Sequence, residues 1–198
     1  MLHVIKGRTK AALPVKHAQG PITAAFCHWP SQPITFDHQD YSASIRSAGR
    51  AALVLDPIID RYRFTRVLMD GGSSLNLIYQ DTIRKMGIDP TKICHSNTTF
   101  KGVMSGPGAH CTGSLLLKVI FGFPDNFRSE HLTFHIAPFQ SGYQALLGHE
   151  AFARFNAIPH YASLTLKMPG PRGIITVNRS IKRSLRAEEN ATALAAAH

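Results

Sequence analysis

Asp70 closes the apolar run Val67-Leu68-Met69 and is followed by Gly71, Gly72, Ser73 and Ser74, then by a second run, Leu75-Asn76-Leu77-Ile78. A carboxylate at the end of a buried strand, in a turn of small residues, is placed for acid–base work. Two glycines let the backbone turn sharply and aim amide N–H groups at the acid. The same residues also suit an Asp-Gly turn joining two strands of a hairpin. Ser73 and Ser74 lack the Gly-x-Ser-x-Gly elbow of a serine hydrolase. Cys94-His95 and His110-Cys111 offer two thiols and two imidazoles. No Cys-x-x-Cys or His-x3-His frame surrounds them, so no metal site and no cofactor are assigned.

The elements that must hold Asp70 are short. Strands are predicted at Ile34 to Phe36, Ala51 to Asp56, Tyr62 to Met69 and Leu75 to Ile78, with turns at Asp56-Pro57 and Asp60-Arg61. Tyr79 to Met86 reads as a helix with Ile83 and Met86 on one face and Gly87 as its C-cap. Asp89-Pro90 breaks the chain. Thr98 to Met104 and Cys111 to Phe121 read as two arms around the small, flexible stretch Ser105-Gly106-Pro107-Gly108-Ala109-His110. Strands follow at His131 to Ala137 and Tyr143 to Leu147, then a helix at Glu150 to Phe155. Leu164 to Lys167 and Ile174 to Val177 flank a Pro169-Gly170-Pro171 turn. Many short strands with turn signals and one or two short helices predict an all-β fold, a small closed β-barrel.

A second stretch, Gln144-Ala145-Leu146-Leu147-Gly148-His149-Glu150-Ala151-Phe152, pairs with the Asp70 turn. Together they resemble the retropepsin-like aspartic proteases. There Asp-(Ser/Thr)-Gly-(Ala/Ser) carries the catalytic acid, and a later apolar-apolar-Gly, usually followed by Arg, packs beside it. The longer pattern resembles the protease region of plant gypsy-type LTR-retrotransposon (gag-pol) polyproteins, which often read Leu-Met-Asp-Gly-Gly-Ser-Ser. Pro33 to Asp37, Ala52 to Ile59, Lys85 to Asp89 and Leu166 to Pro171 add to it, so that it spans roughly residues 33–178.

The resemblance implies a retropepsin-like acid-protease barrel and an aspartic endopeptidase that processes a retrotransposon polyprotein. Asp70 would be the catalytic acid. Gly71, Gly72, Ser73 and Ser74 would shape its turn, with Leu146, Leu147 and Gly148 as the supporting motif. Val103, Met104, Ser105, Gly106, Pro107 and Gly108 would form a flap over an extended peptide, and Ser73 could hydrogen-bond the carboxylate. With one such motif per chain, activity requires a homodimer. Gly71 stands where the family has Ser or Thr, whose hydroxyl bonds across the dimer, and His149 where Arg is usual. The alternative is a catalytically inactive remnant of the same fold, serving as a peptide-binding or structural module.

The chain divides into an irregular, proline-interrupted leader at 1–32, a domain at 33–178 and a basic, then Ala-rich tail at 179–198. Its 198 residues carry a net charge of +10. Lys6, Arg8, Lys10 and Lys16 lie in the leader without an acid to offset them. Such ends imply at most weak, non-specific contact with nucleic acid. No aromatic stacking pattern or zinc knuckle points to more. Three cysteines are too few for a disulfide framework. No apolar run is long enough for a membrane span and no secretory leader is evident, so an intracellular, cytoplasmic protein is expected.

Overall fold

The computed structural model describes residues 33–41, 52–100 and 109–178. Eight strands form one sheet in the order β1-β4-β10-β5-β9-β8-β2-β3. These are β1 (Leu53–Leu55), β2 (Ile58–Ile59), β3 (Tyr62–Arg63), β4 (Val67–Met69), β5 (Asn76–Tyr79), β8 (Ser114–Phe123), β9 (Asn126–Ala137) and β10 (Ala145–Leu147). A two-stranded ladder joins β6 (Thr99–Phe100) to β7 (Ala109–His110). A three-stranded sheet holds β11 (Ile158–His160), β12 (Thr165–Gly170) and β13 (Gly173–Asn178). The helices are α1 (Gln80–Met86) and α2 (His149–Phe155). The fold is thus mostly β, with two short helices. Its main sheet curls into a half-barrel whose edge strands, β1 and β3, do not pair with each other among the described residues.

Alternation builds the long arm of the sheet. Leu115, Leu117, Val119 and Phe121 of β8 and Leu132, Phe134 and Ile136 of β9 turn inward and are buried. The two strands pair without a break from Ser114↔His135 to Phe123↔Asn126. Shorter strands are buried throughout, as in all of β1, β5 and β10, and are apolar but for Asn76 at the start of β5. That fits strands covered on both faces. Helix α1 buries Thr82, Ile83 and Met86 and ends at Gly87, which takes the left-handed conformation (φ 60°). Helix α2 buries Ala151 and Phe155, and Phe155 meets Phe121 edge-on at 5.1 Å.

Several elements differ from the sequence reading. Ile34 to Phe36 is not a strand. Lys167 Nζ donates to Thr35 O at 2.7 Å, which satisfies that carbonyl without a ladder, and Asp37 caps a 3-10 turn at His38–Asp40 directly after it. Tyr62 to Met69 is interrupted between β3 and β4. Gln144 Oε1 accepts from the amides of Thr65 (2.8 Å) and Arg66 (3.0 Å), replacing strand partners there. Among the described residues the two arms pair at Thr99↔His110 and Phe100↔Ala109, with the Cys111 amide donating to Thr98 O, and from Ser114 on the second arm pairs with β9 instead. Pro169 and Gly170 belong to β12, and the turn sits one step later, at Pro171-Arg172, where the Arg172 amide donates to Asn126 Oδ1. Strand β11 carries a proline, which hid it. The leader 1–32, the tail 179–198 and the flap residues Val103 to Gly108 lie outside the described residues.

Candidate active site

Strands β4 and β5 flank the Asp70 turn but do not pair. Strand β10 lies between them, parallel to β4 (Val67↔Ala145, Leu68↔Leu146, Met69↔Leu147) and antiparallel to β5. A hairpin turn at Asp-Gly is therefore excluded, since a hairpin needs its two strands to pair. The inserted strand brings Leu146, Leu147 and Gly148 directly beside the turn. The Asp70 amide donates to Leu147 O at 2.9 Å, and the His149 amide donates to Ser73 O at 2.8 Å.

Gly148 is fixed by close approach. A Cβ there would lie 2.5 Å from both Ser73 O and Leu75 O, backbone atoms that no rotamer change can move. The Gly148 amide donates to Asn76 Oδ1 at 3.0 Å. Asn76, 1 % exposed, donates through Nδ2 to Glu150 Oε2 (2.8 Å) and Thr133 O (3.1 Å). One side chain thus ties β5 to β9, to the β10–α2 junction and to the first turn of α2. Burial pushes the Glu150 carboxyl above its usual range, against the opposing effects of Arg154 and the Asn76 bond.

Asp70 is 5 % exposed. Its Oδ1 accepts from the Gly72 amide at 2.9 Å, and its carbonyl accepts from the Ser73 amide at 3.1 Å. Its Oδ2 is buried with no hydrogen-bond partner. Ser73, fully buried, donates through Oγ to Leu75 O at 2.8 Å. The expectation that this hydroxyl bonds the carboxylate is corrected: it braces the far side of the turn instead. Gly71 lies beneath Tyr161, Gly72 supplies its amide to the acid, and Ser74 is exposed.

Strands β6 and β7 form a ladder on either side of the expected flap residues, which lie outside the described residues. Phe100 roots it, 2 % exposed, within a cluster of Leu77, Tyr79, Cys111, Ala137 and Leu146. Its ring meets Phe139 at 5.3 Å, and Phe139 meets Tyr79 at 5.6 Å. Burial raises the Tyr79 hydroxyl to about 12 and the Cys111 thiol to about 11, so both stay neutral and unreactive near neutral pH. The two Cys-His pairs do not converge on a common point. His95 Nε2 lies 2.8 Å from Asn97 Oδ1, and His110 Nδ1 lies 3.0 Å from Thr99 Oγ1. Among the described residues no three of His, Cys, Asp and Glu gather as metal ligands.

Sequence reasoning passed over Asn76, Glu150, Gln144 and Tyr161. Asn76 left a readable sign, a lone amide inside the apolar run Leu75 to Ile78, where a buried polar group needs partners. Gln144 left none, because the Thr65 and Arg66 amides it accepts from lie far away in the chain, and Tyr161 left none, because the Gly71 it lies against is equally remote.

No family model and no curated protein matches this chain. Among solved structures it is similar to the retroviral protease-like domain of Ddi1 from Leishmania major. Identity there is 13 %, covering 65 % of this chain and 93 % of that one, with a TM-score of 0.43. It is also similar to a retropepsin-like aspartic protease from Rickettsia conorii, at 15 % identity over 62 % of this chain and 79 % of that one, with a TM-score of 0.42.

Proposed function

We propose that the protein is a retropepsin-like aspartic endopeptidase that acts as a homodimer on an extended peptide. Each chain contributes one Asp70, and the two meet on a two-fold axis. Two carboxylates about 3 Å apart share one proton, because both cannot ionise at that distance. The ionised one takes a proton from water, and the neutral one donates to the scissile carbonyl. Water is the nucleophile, so no covalent intermediate forms. The substrate pairs its backbone with strand edges beneath the two flaps.

The observation that carries this reading is the state of Asp70. One oxygen is held by the Gly72 amide, while the other is buried and unpaired. Leaving such an atom unsatisfied costs about 1–3 kcal/mol, more if charged. A second carboxyl sharing a proton with it removes that cost. A hydrogen-bonded turn, a glycine-locked strand and the Asn76–Glu150 tie keep the carboxylate from rotating away to find another partner.

The Leu-Met-Asp-Gly-Gly-Ser-Ser run supports a plant gypsy-type retrotransposon polyprotein as the source and the substrate. The setting proposed is intracellular and cytoplasmic, or within a virus-like particle, with the basic ends adding weak nucleic-acid contact. No described helix is long and apolar enough to cross a membrane.

The test is self-processing. The chain is expressed with an upstream polyprotein fragment at pH 5–6, beside an Asp70→Asn version. Cleavage in the first and none in the second is the expected result. A folded dimer without cleavage in either would leave a binding or structural module.

A further inference from the structure

We infer that Tyr161 is a positioning residue of the active turn, its hydroxyl bridging the two subunits' turns where Gly71 offers no side chain. The inference rests on the two-fold pairing of Asp70 proposed above. A Cβ on Gly71 would lie 3.2 Å from Tyr161 Oη, so the hydroxyl already fills the space a side chain at 71 would enter. Tyr161 is 39 % exposed, and its hydroxyl bonds no described residue. The phenol's polar end therefore lies over the turn with no hydrogen-bond partner among the described residues.

Geometry places that hydroxyl at the subunit contact. If two Asp70 carboxylates approach to about 3 Å, residue 71, one Cα step of about 3.8 Å along the chain, lies close to the axis. Groups close to a two-fold axis meet the partner's copy of the same surface. A tyrosine hydroxyl both donates and accepts, so it can bond a turn amide or a turn carbonyl of the partner. With only two side-chain torsions, it loses little freedom in doing so.

The hairpin that presents Tyr161 is held from several sides. Leu164, 1 % exposed, is fixed in the left-handed region (φ 55°), a conformation a leucine keeps only where its surroundings enforce it. His160 Nδ1 and Ser163 Oγ lie 2.7 Å apart across the turn. The His160 ring stacks on Phe36 at 4.7 Å and meets Tyr41 edge-on at 5.6 Å. Lys167 in turn sits 4.8 Å over Phe36 and pairs with Asp40 at 2.7 Å. The segment 33–41 thus clamps the residue next to Tyr161.

The experiment is a two-position cycle on the full chain: Tyr161→Phe, Gly71→Ser and both together. The dimer dissociation constant is read by sedimentation, and kcat is read separately from KM. Tyr161→Phe removes only the hydroxyl, and a thermal melt checks that the fold is retained. One hydrogen bond per subunit, two per dimer, corresponds to about a thirtyfold rise in the dissociation constant. Gly71→Ser alone is also expected to weaken the dimer, because its Cβ crowds Oη. In the Tyr161→Phe background the same serine restores association and kcat, since it supplies a hydroxyl where one was lost. Unchanged association in Tyr161→Phe, or additive losses in the double variant, overturns the inference and leaves the Asp70 reading intact. An unmodified chain that stays monomeric at every concentration overturns both.

Discussion

Gly148→Ala is the substitution that most sharply tests how the active turn is held. One methyl group is added, but it meets two backbone carbonyls, Ser73 O and Leu75 O, each at 2.5 Å. Neither can be relieved by a rotamer change, so the turn and the β10–α2 junction must separate. Three hydrogen bonds span that junction: the Asp70 amide to Leu147 O, the His149 amide to Ser73 O and the Gly148 amide to Asn76 Oδ1. At a net worth of about 0.5–1.5 kcal/mol each, their loss costs about 2–4 kcal/mol. Insertion of a methyl into a packed site gives a similar figure, about 1–3 kcal/mol. Against a total stability of about 5–15 kcal/mol, the variant folds but is markedly weakened. For a domain of this size the melting temperature falls by roughly 6–12 °C. Circular dichroism melts of both proteins at one pH supply the number, and peptide cleavage should fall with it. A variant that melts within about 2 °C of the native protein would refute the close approach at Gly148.

Three further outcomes follow from the same site. Asn76→Leu leaves the Gly148 amide and the Glu150 carboxyl without their shared partner and should destabilise by about 2–4 kcal/mol in urea titration; a change below about 0.5 kcal/mol contradicts its bridging role. Glu150 has a folded pKa above its free value, so native stability falls as pH rises from 4.5 through that higher value. Glu150→Gln keeps the acceptor for Asn76 and removes the titration, so it should melt at or above the native protein at pH 7; a lower melting point at pH 7 sinks the idea. His135 is the opposite case. Burial lowers its pKa from 6.5, so its contribution is complete above pH 6.5 and is lost as pH falls below it. His135→Gln should lose less stability between pH 7 and 5.5 than the native chain, and an equal loss in both speaks against a half-buried, neutral imidazole.

The parts of the site that are contiguous in the chain could be read from it. The Asp70 turn announced itself by a carboxylate between an apolar run and two glycines, and α1 by its buried face and Gly87. The alternation of β8 and β9 showed only in part, because Leu116, 64 % exposed, interrupts the polar face. What the sequence concealed is long-range. Nothing local in Ala145 to Leu147 says that this strand enters between β4 and β5, yet that insertion decides between a hairpin turn and a braced carboxylate. The break between β3 and β4 depends on a glutamine 78 residues away. The strand expected at Ile34 to Phe36 is replaced because Lys167 satisfies Thr35 O. In each case a remote element supplies a partner, a strand or a side chain, that local propensity cannot foresee.

The central claim is that two chains each give one Asp70 to a single site. Subunit mixing tests it most directly. A fixed amount of native chain, at a concentration where it is dimeric, is mixed with increasing Asp70→Asn chain and assayed on a peptide. Random pairing leaves fewer dimers with both carboxylates. Activity should fall to about half with an equal amount of variant and to about a quarter with a threefold excess. Activity that stays constant as the variant is added would mean that each chain works alone, and the shared Asp70 site would be wrong.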